Sequence, residues 1–348
     1  MGRLVAMLRA PGGGRWRAAL VAAATVVVLT ACGAAGVPSS GSVHRRAGTA
    51  DVAYAGSLQL LNDKTVGPGF TRATGYAYEG RAGGSFGLSQ EIRSGEIAPN
   101  VFESIGAAPI TELQPKAGRW YVQLASSPLV VAYSPHTAFS SALQAVAKGT
   151  KPLSDLFSLM GDPGFSLGRT NPETDPQGQA FYEMVELART RLGLPPGTVS
   201  RVLGPPDNAS QIFAETALDA RLEAGQLDAA SAFLSQAVQL HLPYIALPAA
   251  IDFGDPALAT TYAAASLTLH GGTVVHGVPL VVDVTTLGTR DAAAAQAFVA
   301  YVLSPPGRRA FERAGYELLT PRVLGDASTV PPGVRRALAS GPEQGAQP

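Results

Sequence analysis

The sequence predicts an α/β fold of two lobes joined by a two-segment hinge, with mixed sheets flanked by helices. Three observations lead there. From residue 51 to 325 short apolar runs alternate with stretches of helical period, the pattern of sheets covered by helices. Two long β-rich runs, WYVQLASSPLVVAYS at 120–134 and VPLVVDVTT at 278–286, could each pass from one lobe to the other. The chain has 348 residues, 46% of them apolar, which suits about two ordinary domains with real cores.

The elements follow in order. DVAYA at 51–55 reads as a strand, and Gly56-Ser57 leads from it into the helical start LQLLND. A weaker strand at 76–79 passes through Gly83-Gly84-Ser85 into a helix ending near Arg93. Residues 120–134 are extended and broken at Pro128. Asp175 followed by Pro176 is a good helix start, Asp at N-cap and Pro at N1, and 178–192 continues as a helix. Helices are predicted over 214–223 and 228–239, separated by Gly225. After the second β-rich run come helices at 291–302 and 306–314, with Gly315 as the stop. The expected division is lobe 1 over 51–125 and 286–325, lobe 2 over 126–285, and a disordered tail from 326 to 348 rich in Pro, Gly, Ala and Ser.

Residues 1–31 read as a signal peptide. Arg3, Arg9, Arg15 and Arg17 precede a short apolar run, too short for a comfortable membrane span. Leu29-Thr30-Ala31-Cys32 looks like the lipobox of a bacterial lipoprotein, which implies cleavage before Cys32 and lipidation of that residue. Cys32 is the sole cysteine, which excludes an internal disulfide or a Cys-based metal site. Residues 32–50 then serve as a flexible tether, and the protein is expected on the extracytoplasmic face of the cell membrane. Cleavage removes four arginines and no acid, leaving 22 cations against 26 acids, a net charge of −4. With no basic stripe, nucleic-acid binding is not expected.

Gly83-Gly84-Ser85-Phe86-Gly87 can be read two ways. It spells G-x-S-x-G, the elbow of a serine esterase, for which His241, His270 and His276 offer a base later in the chain. Against that, only about 50 mature residues precede Ser85, and His270-Gly271-Gly272 falls after the serine rather than before it. The second reading is an anion clamp at a helix N-terminus, where free N–H groups and the helix dipole meet negative charge. It gains from a second copy: Gly56-Ser57 makes the same strand-to-helix passage, and neither helix carries an acid in its first turn. Plain N-capping by Ser57 and Ser85 is the bland account of both.

These segments together resemble the ABC-transporter binding proteins for molybdate and tungstate, most closely the archaeal-type subfamily. AGSL at 55–58, GGS and EIRSG within 83–95, LGRTNPETDPQG at 167–178 and FVAYVLSPPGRRAFERAGY at 298–316 fall in family order. The resemblance implies the type II periplasmic-binding-protein fold, a monomer with no catalytic step or cofactor, and permease and ATPase subunits as partners. It places Gly56, Ser57, Gly84 and Ser85 on one side of a tungstate or molybdate oxyanion. Asp175, with the N–H groups of Gln177 and Gly178, faces it from the other side, Asp175 as a ligand of the metal. The subfamily's second carboxylate, a Glu, is Ala232 here, and the Tyr after it is Phe233. Glu183 and Glu215 are candidates to replace that acid; the alternatives are a different tetrahedral oxyanion held by hydrogen bonds alone and a sensor lipoprotein without transport.

Overall fold

A computed structural model describes residues 45–115 and 117–339 of the chain. The signal peptide, Cys32, most of the tether and the last residues of the tail lie outside the described residues.

The first sheet has six strands: β1 (Thr49–Ala55), β2 (Ala77–Gly83), β3 (Val101–Ile105), β4 (Trp120–Ser126), β11 (Val281–Thr286) and β12 (Glu317–Gly325), in the order β12-β4-β11-β3-β1-β2. The second has four: β5 (Leu129–Tyr133), β6 (Leu167–Gly168), β7 (Ala229–Phe233) and β8 (Tyr244–Ala246), in the order β6-β7-β5-β8. A short hairpin of β9 (Ser266–Thr268) and β10 (Val274–His276) stands apart. Among these strands β1 pairs in parallel with β2 and β3, and β6 with β7, while the other strand pairs are antiparallel, so the sheets are mixed.

The sequence explains most of these placements. β1 is flanked on both sides, and its last four residues, Val52 to Ala55, are buried. β2 is an edge strand, and Glu79 and Arg81 on it deter further pairing. β12 lies on the opposite edge, where Pro321 falls within a register shift between Leu318 and Arg322; an edge bulge is where a strand tolerates proline. Pro128 breaks the first β-rich run as expected, with β4 before it and β5 after it. β4 stays in the first sheet, and after Ser127-Pro128 the chain enters the second as β5. The return passes Leu280 into β11, and the Ser127 N–H donates to the Leu280 carbonyl at 3.4 Å, so the two crossings lie side by side. Leu234 N–H donates to the Pro128 carbonyl at 2.8 Å, tying the second lobe to the same crossing.

Two expectations are corrected. Residues 228–239 do not form one helix: Ala229–Phe233 is the fully buried strand β7, and the helix begins at Leu234. Small apolar residues that favour a helix locally are held extended by β5 and β6 on either side. The segment from 326, expected to be disordered, carries the helix Pro332–Ala339, anchored by fully buried Val334.

Candidate functional site

The first half of the site is built from two helix starts at the ends of neighbouring parallel strands. β1 ends at Ala55, and a helical run follows without break from Gly56 to Thr74, beginning as a 3-10 turn over Gly56–Leu58. β2 ends at Gly83, and the helix Ser85–Ser94 follows with Gly84 at its N-cap. Because β1 and β2 are parallel and in register from Ala55 to Gly83, both helix starts emerge at the same sheet end. Neither helix has an acid in its first turn and neither has a side-chain cap.

Neither serine is a cap, then. Ser85 stands at N1, almost fully buried, and its Oγ accepts from the Ile105 N–H of β3 at 3.1 Å. That bond uses an acceptor site and leaves the hydroxyl proton free. Ser57 is equally buried; its carbonyl accepts from Tyr316 Oη at 3.0 Å, while its Oγ has no hydrogen-bond partner. No histidine hydrogen-bonds to Ser85 among the described residues, and His270 instead donates its backbone N–H to Glu173 at 2.6 Å. The esterase triad is not assembled.

The second half comes from the other lobe. Asp175 caps the helix Pro176–Arg191, its Oδ1 accepting from the Gln177 N–H at 2.8 Å, while its carbonyl accepts from Gly178 N–H at 3.1 Å. The two N–H groups are thus spent on Asp175 itself. Gly178 has a packing role: a Cβ there would lie 2.6 Å from the Thr170 carbonyl oxygen. The Gln177 side chain reaches further. Its Nε2 donates to Glu215 Oε1 at 2.8 Å and to Gln236 Oε1 at 3.1 Å, and its Oε1 accepts from Ser231 Oγ at 2.7 Å.

The halves meet in a closed arrangement. Gly87 N–H donates to the Thr174 carbonyl at 3.1 Å, and Gly84 abuts the Thr174 carbonyl and Asp175 Cβ. Gly56 abuts Glu215, at the start of the helix Glu215–Glu223, so closely that a Cβ on Gly56 would overlap Glu215 Oε2. Between these contacts lies a cavity of about 520 Å³ reached by Gly56, Gly84, Thr170, Asp175 and Glu215. No lysine, arginine or histidine lines it.

Burial dominates its electrostatics. It pushes the Asp175 carboxyl up to about 6, against the pull of the Gln177 N–H. Glu215 is driven well above the usual carboxylate range by burial first and then by the neighbouring Asp175, while the Ser57 N–H and the Gln236 side chain act in the opposite direction. Of the two candidate replacements for the missing acid, Glu215 stands in this cavity. Glu183 lines a separate chamber between the lobes with Phe86, Ile105 and Asp283. Ala232 lies buried in β7. Among the described residues no group of three or more His, Cys, Asp or Glu could hold a metal ion, and no helix is long and apolar enough to cross a membrane.

Two sheets linked by adjacent crossings, with a cavity between helix starts of one lobe and Asp175 and Glu215 of the other, define a two-lobed solute-binding protein. The family model for bacterial extracellular solute-binding proteins matches residues 50–317, and the chain belongs to that family. It is therefore a carrier and not an enzyme. A Haloferax volcanii protein named for molybdenum binding in an ABC transporter is 33% identical over 254 residues, covering 73% of this chain and 77% of the relative. The molybdate/tungstate-binding protein of Pyrococcus abyssi is 26% identical over 226 residues, 59% of this chain and 63% of the relative. In structure, the periplasmic molybdate-binding protein of Azotobacter vinelandii superposes with a TM-score of 0.50 at 17% identity, covering 77% of this chain and 98% of that one.

Proposed function

We propose that this chain is the substrate-binding lipoprotein of an ABC importer, holding a tetrahedral oxyanion between its lobes, with tungstate or molybdate as the solute. The observation that carries the reading is the pair of uncapped helix starts, Gly56-Ser57 and Gly84-Ser85, whose glycines line one inter-lobe cavity together with Asp175. Free N–H groups at a helix start suit an anion, and the dipole favours it. Ser57 and Ser85 supply hydroxyl donors, and Asp175 reaches the metal centre of an oxometallate that accepts further ligands. The names of the relatives support the same solute. Cys32 carries the lipid, and permease and ATPase subunits receive the closed form.

The test is thermal unfolding of the protein with tungstate, molybdate, sulfate and phosphate in turn. At about 100 times Kd a specific ligand stabilises the fold by roughly 2.7 kcal/mol, which raises the midpoint by several degrees. A shift with tungstate or molybdate is the expected result; no shift with any of the four defeats the proposal.

A further inference from the structure

The two serines at the helix starts are held in different ways. Ser85 begins a regular α-helix, with the Leu88 N–H on the Gly84 carbonyl at 2.9 Å, and its own Oγ is fixed by the Ile105 N–H. Ser57 sits in a single 3-10 turn, closed by the Gln59 N–H on the Gly56 carbonyl. Such turns have poorer hydrogen-bond geometry than an α-helix, and the Ser57 hydroxyl makes no hydrogen bond. What holds this residue comes from 259 positions along the chain: Tyr316 Oη donates to the Ser57 carbonyl at 3.0 Å, with both residues buried.

Tyr316 is held for that contact from both lobes. Gly315, with φ +86°, follows the helix Pro305–Arg313 and leads into β12, and the Tyr316 N–H donates to the Phe311 carbonyl at 3.1 Å. The phenol ring packs edge-on against Phe311, centroids 5.2 Å apart. The second lobe contributes the helix Leu234–Leu240. Gly315 lies against it so closely that a Cβ would stand 3.0 Å from Val238 Cβ and 3.3 Å from Ser235 Cα. The Ser235 N–H donates to Ser127 Oγ at 3.0 Å, which fixes this helix to the crossing between the lobes. Ser235 is fully buried; its Oγ completes no hydrogen bond but is near enough to the Tyr316 hydroxyl to pull its pKa down. Burial outweighs that pull and drives the phenol up, so the hydroxyl keeps its proton and remains a donor.

Resting on the oxyanion reading above, we infer that Tyr316 is a positioning residue of the solute site: its hydroxyl holds Ser57 in place to meet the anion, and its seat beside Ser235 and Val238 ties that serine to the second lobe. Tyr316 does not line the cavity, so it acts through Ser57. Without its bond, part of the binding free energy goes into ordering the 3-10 turn.

Isothermal titration calorimetry with sodium molybdate, beside urea unfolding, tests this on wild type, Tyr316→Phe and Tyr182→Phe. Tyr316→Phe keeps the ring on Phe311 and removes only the hydroxyl. Tyr182→Phe removes a like bond, from Tyr182 Oη to the Gly204 carbonyl at 2.9 Å, at a residue that does not line the cavity. Both variants are expected to lose a similar amount of stability. Only Tyr316→Phe is expected to lose affinity, by about 3- to 10-fold, the size expected for one hydrogen bond. Undiminished affinity in Tyr316→Phe overturns the inference, as does an equal loss in the two variants, which makes the effect one of stability alone. Ser57→Ala supplies the second readout. Because Tyr316 acts through Ser57, the loss from Tyr316→Phe should shrink at least about twofold in the Ser57→Ala background; strictly additive losses overturn the inference. If wild type binds no molybdate, the oxyanion reading fails and takes this inference with it, a result read before any variant.

Discussion

Gly84→Ala separates the closed form from the rest of the fold. At this position φ is −62° and ψ 134°, a conformation alanine adopts freely, so nothing in the lobe resists the new methyl. In the closed form, however, the Cβ would stand 2.5 Å from the Thr174 carbonyl oxygen and 3.2 Å from Asp175 Cβ. Ordinary contact needs roughly 3.5 Å, so the lobes must part by something on the order of an ångström. Overpacking of this kind costs about 1–3 kcal/mol, and here the cost falls on the closed form alone. A ligand that binds the closed form then loses about 5- to 150-fold in apparent affinity. Gly87→Ala is the matched control. Its Cβ meets Thr174 Cβ at 3.6 Å, an ordinary distance, and the Gly87 N–H bond to Thr174 is kept. Replacing a helical glycine by alanine stabilises the fold by up to about 1 kcal/mol. Calorimetric titration with molybdate, with X-ray scattering to follow compaction, measures both effects. Wild-type affinity and full compaction in Gly84→Ala would refute the reasoning, as would equal weakening in the two variants.

Other expectations concern stability. Arg169 is fully buried, and its guanidinium donates to the carbonyls of Pro205 at 3.1 Å and Pro206 at 2.9 Å and to Gln211 Oε1 at 3.2 Å. Arg169→Met leaves those acceptors unmatched and should lower stability by about 2–4 kcal/mol in urea unfolding; a loss under 1 kcal/mol speaks against this account. Burial pushes the Glu183 carboxyl from 4.5 up to about 8, so between those values the folded protein holds a proton that the unfolded chain has released. The stabilisation from this group is complete below its unfolded value and is lost as pH rises through about 8, with a slope of at most about 1.4 kcal/mol per pH unit. Glu183→Gln should flatten the fall in stability between pH 5 and 8, and an unchanged profile counts against the assignment.

What the sequence disclosed, and what it hid, divides along a physical line. Features set by a few neighbouring residues were legible. Asp175-Pro176 caps its helix as the dipeptide predicts, and Pro128 divides the long β run. Gly315 stops its helix with φ +86°. Features set across the fold were not. β3 carries Glu103 beside Ser104 among apolar residues, and the fully buried Glu103 is met by Asn62, which donates to it at 2.7 Å from 41 residues away. β7 is an alanine-rich strand that only its neighbours hold extended. From their place after glycine, the serines suit plain caps or anion donors. That Ser85 Oγ serves Ile105 depends on β3, which local pattern did not reveal. Glu215 could be nominated as an acid available to stand in for Ala232, yet nothing in Ala214-Glu215-Thr216 marks it as reaching Gly56. That contact exists only when the two lobes close.

The charge balance of the cavity ties these strands together. Two helix starts contribute roughly half a positive charge each, about one unit in all, against a dianion and two carboxyl groups. Two unit charges of like sign 4 Å apart cost about 4 kcal/mol at an effective dielectric near 20, so both acids cannot face the ligand ionised and unligated. Closure answers this by burial, which raises Asp175 and Glu215 together and favours their neutral forms. A neutral carboxyl is a hydrogen-bond donor, so under the oxyanion reading the closed cavity presents donors on both faces. Opening reverses the logic. Once water reaches the acids they ionise, and the same groups that tolerated the anion repel it. The chain carries 26 cationic and 26 acidic residues and no net charge, so affinity must come from the cavity itself, and release then needs no separate device beyond parting the lobes.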